Sequence, residues 1–252
     1  MPTRLFVAVL AVSALALGTA SAAHADQTNV AVAANFTDAA TEIAQAFREK
    51  TGHEAILSFG STGQLYTQIT QAAPFEVFLA ADQARPTKAV EEGFAAESQF
   101  TYAIGKSVLW SKDPDLVQGE ATLKNGAFTK IAIANPETAP YGAAAVQAMH
   151  ALGVYDQLAP KIVQGNNIAQ TFQFVETGNA ELGFVALSQV VSNSEGSRWE
   201  VPADLYEPIR QDAVLLETGE DNEAAKGFLE FLQSPEAAAI IAKYGCGTAA
   251  SS

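Results

Sequence analysis

Four times in this chain a short apolar run ends in small or polar residues that open into a helical pattern, and this repeated corner restricts the fold more than any other feature. The runs are Val30-Ala31-Val32-Ala33-Ala34 before Asn35, residues 54–59 before Ser61-Thr62, residues 131–134 ahead of Tyr141, and residues 161–164 ahead of Ile168. Runs this short suit buried strands. The residues after each run have helical spacing: Phe36, Ala39, Ala40, Ile43 and Phe47 beyond the first, Leu65, Ile69 and Ala72 beyond the second. Alternating strands and helices favour parallel pairing, so the expected class is α/β. In open sheets of that kind, ligands collect at the carboxyl ends of the strands.

The punctuation agrees. Asn35 and Ser61 stand where helix N-caps belong, Gly52 and Gly153 stop helices, and Pro140 occupies a helix start. A third strand is expected over residues 75–82, with the chain crossing to a second lobe near Asp82. Residues 104–110, 131–134, 161–164 and 182–186 then read as strands of a second sheet, and residues 206–217 as the return to the first. Two helices close the chain, the second with Ser234 as N-cap and Pro235 at its first position. This gives one lobe from residues 26–81 with 206–252 and another from residues 82–205. Two parallel or mixed sheets flanked by helices would enclose a cleft, a common place for a small ligand.

The first 25 residues differ from the rest. Arg4 is followed by an apolar run and then by small residues ending Ala23-His24-Ala25, the pattern of a secretory signal cut after Ala25. Losing it removes one basic residue and no acidic one, which takes the net charge from -14 to -15. Such a surface opposes nucleic acid and anionic lipid, and no later segment is apolar for long enough to span a membrane. The single Cys246 allows neither an internal disulfide nor a lipid anchor next to the signal, so a freely diffusing periplasmic protein is expected.

Catalytic chemistry finds little support. Gly60-Ser61-Thr62-Gly63-Gln64 lacks the lysine of a phosphate-cradling loop, and Ser61 is not framed as a hydrolase nucleophile. Outside the signal the histidines are His53 and His150, neither placed beside a nucleophile, and no histidine and cysteine cluster suggests a transition-metal site. The recurring corners point elsewhere. Asn35, Ser61, Thr62, Tyr141 and Ile168 all lie at expected helix starts, two corners from each lobe, where N–H groups and hydroxyls can converge on one anion without a cation.

At these residues the sequence resembles the periplasmic molybdate-binding proteins of ABC transporters, over essentially the whole chain after the signal. The matching stretches are Ala33-Ala34-Asn35, Ser58 through Gly63, Phe78-Leu79-Ala80-Ala81-Asp82, Asn135-Pro136-Glu137 with Pro140-Tyr141-Gly142, Leu182-Gly183-Phe184-Val185, and Ser234-Pro235-Glu236-Ala237-Ala238 with Lys243-Tyr244-Gly245. The resemblance implies a two-lobed, type II-like periplasmic binding protein that closes on its ligand. It also implies a monomer with no cofactor and no enzymatic activity, serving a membrane permease. It carries the ligand contacts to Asn35, Thr62 with Ser61 beside it, Tyr141, and the backbone N–H of Ile168. Molybdenum would be held there as the molybdate oxyanion, with tungstate as an equivalent ligand. Some members have a tyrosine where this chain has Ala186, a hydroxyl that Tyr141 is expected to replace. The alternatives are a binder of sulfate or another tetrahedral oxyanion and, outside the class, a secreted serine hydrolase using Ser61.

Overall fold

Each of the four apolar runs becomes a strand, and one to five residues separate its end from the start of a helix. A computed structural model describes residues 26–247; the expected signal peptide lies outside the described residues. In chain order the first lobe contains β1 (Gln27–Ala33), α1 (Thr37–Thr51), β2 (Glu54–Gly60), α2 (Thr62–Thr70), β3 (Val77–Leu79), α3 (Ala84–Glu91) and β4 (Phe100–Gly105). The second contains β5 (Ser107–Ser111), α4 (Glu120–Asn125), β6 (Ile131–Ala134), α5 (Pro140–Ala151), α6 (Tyr155–Leu158), β7 (Ile162–Gly165), α7 (Ile168–Glu176), β8 (Leu182–Ala186), α8 (Leu187–Val190) and β9 (Ser197–Glu200). The chain then returns through β10 (Ile209–Leu215), α9 (Glu223–Leu232) and α10 (Pro235–Lys243).

The two sheets are built alike. The first has the order β2-β1-β3-β10-β4 and the second β7-β6-β8-β5-β9. In each, three parallel strands meet a fourth that runs antiparallel to both its neighbours, and that strand is the one entered directly after the chain crosses between lobes. Mixed sheets flanked by helices are thus the architecture expected from the sequence.

The first crossing differs from its expected place. Residues 104–110 form not one strand but the end of β4, which pairs with β10, and β5, which pairs with β8 and β9. The break falls at Lys106, exposed between two buried neighbours, so the chain crosses there and not at Asp82. The charged turn at Asp82 instead starts α3: the carboxylate accepts the Arg85 N–H at 3.0 Å. At the second crossing, Tyr206 Oη accepts the Ser107 N–H at 3.2 Å, which ties the two connecting segments together.

Each sheet is covered on both faces. Phe36, Ile43 and Phe47 of the first helical segment pack with Phe228 and Leu232 of α9 on one side of the first sheet, while Leu65, Tyr66 and Ile69 of α2 cover the other. In the second lobe Tyr141, Ala145 and Met149 of α5 cover one face and Val175 of α7 the other. The α5 cluster also takes in Ala33, Ala34 and Ala81 from the first lobe, so apolar packing is continuous across the cleft.

Close backbone approach at α5 depends on Gly142. A Cβ there would stand 2.1 Å from the Ala134 carbonyl oxygen, where backbone cannot yield. Gly142→Ala is therefore expected to destabilise the protein by about 1–3 kcal/mol, the range for overpacking. Gly227, inside α9, would meet nothing nearer than 3.7 Å, and Gly227→Ala should stabilise by about 0.5–1 kcal/mol. Urea unfolding of both variants checks the opposite signs.

Candidate functional site

All five residues singled out from the sequence line one small cavity between the lobes, together with Ala33, Ala34, Gly60, Ala81, Ala139 and Pro140. It is a narrow, nearly filled space, too small for a sugar or a peptide. Asn35, Ser61, Thr62, Tyr141 and Ile168 are each at most 4% exposed, so whatever occupies the cavity is removed from bulk water.

The donors are arranged by helix starts. The Ser61 hydroxyl caps α2 by accepting the Gln64 N–H at 3.4 Å, and the Thr62 hydroxyl accepts the Ala81 N–H at 3.0 Å. Each hydroxyl is used as an acceptor by the protein and keeps its own proton to donate. Asn167 caps α7 by accepting the Gln170 N–H at 2.9 Å, leaving Ile168 as the first helical residue, whose N–H has no carbonyl partner inside the helix. Tyr141 is the second residue of α5, which begins with Pro140 and has no side-chain cap. The positive ends of α2, α5 and α7 therefore meet at one point.

Asn35 departs from its expected role as an N-cap. It lies in a 3-10 turn, Ala34–Phe36, ahead of α1, and its side chain caps neither element. Its Nδ2 instead donates to Gln211 Oε1 at 2.7 Å, and its carbonyl accepts the Ser188 hydroxyl across the cleft at 2.6 Å. A fully buried glutamine satisfies it better than the helix end would. The Tyr141 hydroxyl is buried without a hydrogen-bond partner, beside the Asn35 amide and against Gly105.

Sequence reasoning passed over Gln211 and Ser188. The polar pair Gln211-Asp212 inside the apolar strand β10 was the available signal for the first, and both side chains are buried. Ser188 left none.

Among the described residues no charged side chain lines the cavity. Arg85 is engaged by Asp82 at 2.6 Å and by the Glu137 carbonyl at 2.8 Å, the latter bond crossing between lobes. Gly63 N–H to Thr138 carbonyl, at 2.8 Å, is another link of that kind. Neither histidine approaches Ser61: His53 Nδ1 accepts the Asp26 N–H and its ring stacks on Phe47, and His150 stacks on Tyr155. A serine nucleophile here would have no base. No group of three histidine, cysteine or carboxylate side chains that could hold a metal ion occurs among the described residues.

Two α/β lobes about a small, donor-lined cavity have the form of a protein that holds a small solute between them. The sequence matches the bacterial extracellular solute-binding proteins over residues 28–246, and the chain belongs to that family. It is 56% identical over 233 residues to the molybdate-binding protein ModA of Rhodobacter capsulatus, covering 92% of each chain. It is 55% identical to the molybdate-binding protein ModA of Azotobacter vinelandii, covering 90% of this chain and 92% of that one. A solved structure of a periplasmic molybdate-binding protein from Azotobacter vinelandii superposes with a TM-score of 0.84 at 40% identity, covering 87% of this chain and 98% of that chain. The reading as a binding protein and not an enzyme follows from this membership.

Burial holds the phenols of Tyr141 and Tyr102 well above their ordinary value of 10.0. The Asn35 amide opposes this slightly at Tyr141, although no group meets hydrogen-bond geometry with Oη. An unfolded chain loses these protons near pH 10, while the folded protein keeps them. Above that pH the unfolded state binds fewer protons, so the stability they contribute should be full below about pH 10 and fall as pH rises further. Burial also pushes the Cys246 thiol up to about 11, so thermal midpoints are expected to start falling near pH 9 and to fall further from pH 10 to 11 as the phenols join; a midpoint that held or rose over the last interval would contradict the burial of these groups.

Proposed function

We propose that this protein is the periplasmic molybdate-binding component of an ABC importer, holding molybdate, and tungstate equally, in the interlobe cleft for delivery to a membrane permease. In this reading Asn35, Ser61, Thr62, Tyr141 and Ile168 are the ligand contacts, molybdenum enters only as the oxyanion, and no cofactor takes part. The carrier works as a monomer, made with a signal peptide that is cut after Ala25. The observation that supports it most is the cavity lining, which offers hydroxyls and helix-start N–H groups and no charged side chain among the described residues. The relatives that bind molybdate support the choice among oxyanions.

The donor set excludes phosphate for a chemical reason. Phosphate near neutral pH still carries a proton and needs an acceptor such as a carboxylate to receive it, and no carboxylate lines the cavity among the described residues. Sulfate is fully ionised and tetrahedral like molybdate, so size must separate them. With its shorter bonds, sulfate leaves some donors of a cavity set for the larger anion unpaired, and an unpaired buried donor costs about 1–3 kcal/mol.

Competition calorimetry with the four anions at neutral pH tests the proposal. Molybdate and tungstate should bind alike, sulfate at least about a hundredfold more weakly if two donors go unpaired, and phosphate undetectably. Sulfate displacing molybdate at comparable concentration would overturn the assignment in favour of a general oxyanion or sulfate binder.

A further inference from the structure

Tyr141 lines the cavity from the second lobe, and its side chain reaches across to the first sheet. The hydroxyl is buried without a hydrogen-bond partner and rests against Gly105, the last residue of β4 and the residue just before the Lys106 crossing. A Cβ on Gly105 would stand 2.2 Å from Tyr141 Oη, 3.0 Å from its Cζ and 3.1 Å from Gln211 Nε2. Gly105 does not adopt a positive φ, so the position uses the missing side chain and not the freedom of the backbone. The contact crosses the cleft, because Tyr141 belongs to the second lobe while Gly105 and Gln211 belong to the first sheet.

Gln211 forms the other wall of this recess. It is fully buried, its Oε1 accepts from Asn35 Nδ2 at 2.7 Å and from Tyr102 Oη at 3.5 Å, and its Nε2 has no partner. A β-bulge at Gln211 and Asp212 shifts the register of β10 at this point. The Gln211 side chain therefore orients Asn35 on the first lobe, and it borders the same space beside Gly105 that the Tyr141 hydroxyl enters from the second.

We propose that Gly105 and Gln211 form a seat for the Tyr141 ring that fixes how far the lobes close, and through it the size of anion the cleft retains. The seat rests on the anion-binding reading above and deepens it. The Tyr141 ring and the first turn of α5 move as one body, so the depth to which the ring seats sets the distance from the α5 N–H groups to Ser61 and Thr62. Gly105 is a positioning residue that touches no ligand. Its effect is on the closed form: a side chain there opposes closure and leaves the open lobes, and first contact with the anion, unchanged.

The test is a comparison of wild type, Gly105→Ala, Tyr141→Phe and the double variant, by molybdate calorimetry and stopped-flow kinetics with tryptophan fluorescence. Gly105→Ala should weaken molybdate binding by at least about tenfold, the effect of a moderate overpacking clash, with the loss in the dissociation rate and the association rate preserved. Because Tyr141→Phe by itself removes a proposed ligand contact, each change is read against its own background: Gly105→Ala should weaken binding less in Tyr141→Phe protein than in wild type. If Gly105→Ala fails to fold while the double variant folds and binds, the hydroxyl is again marked as the atom in conflict. A Gly105→Ala protein that binds as wild type, or an equal loss from Gly105→Ala in the wild-type and Tyr141→Phe backgrounds, would overturn the seat. Wild-type protein that failed to bind molybdate would defeat the preceding proposal alone, and the same ordering of variants would then be read with whichever of tungstate or sulfate binds.

Discussion

The N–H groups at the start of a helix have no carbonyl to bond within it, and this one constraint governs the whole cleft. Three helices, α2, α5 and α7, begin at the carboxyl ends of strands from two different sheets and direct those groups to one small space. Side chains meet part of the demand: Ser61 and Asn167 each accept an N–H from the first turn of their helix. The donors left unpaired are a set of fixed dipoles of one sign, removed from water by lobe closure. An anion placed there replaces its hydration shell with donors already in position.

That the donors are neutral matters for the rest of the molecule. A buried lysine or arginine would hold an anion more strongly, but it would be an uncompensated charge in the empty cleft. Hydroxyls and amides avoid that problem and keep the closed form dependent on contacts elsewhere. Those contacts are few and specific. Ser188 to the Asn35 carbonyl, Gly63 to Thr138, and Arg85 to Glu137 cross the cleft without entering the cavity. Alanines 33, 34 and 81 join the core around α5, so closure also buries apolar surface. The two crossing segments are tied to each other by the hydrogen bond from Ser107 N–H to Tyr206.

The corners could be read from the sequence because both sides of each leave local marks: an apolar strand that stops, and a cap or proline that starts a helix. Ser61 and Pro140 are found in those roles, and α7 and β8 run over the residues expected. Features that depend on distant partners were hidden. The apolar pattern runs on through Gly105-Lys106, and only pairing with β10 on one side and with β8 and β9 on the other shows that two sheets divide there. Asn35 carries the mark of a cap, yet a glutamine 176 residues away offers a buried acceptor that takes its amide instead. Short elements such as α4, α8 and β9 are held by tertiary contacts and leave no periodic signal of their own.

In the proposed site a dianion is bound by neutral dipoles inside a protein whose net charge without the signal is -15. The protein's field then repels its own ligand, and salt that screens this field should help binding. Molybdate affinity measured from about 10 mM to about 150 mM sodium chloride, across which the Debye length shrinks from roughly 30 to 8 Å, addresses this most directly. The account predicts a faster association rate and an affinity that holds or strengthens as salt rises. An affinity that fell severalfold over the same range would reveal a cation at the heart of the site and contradict it.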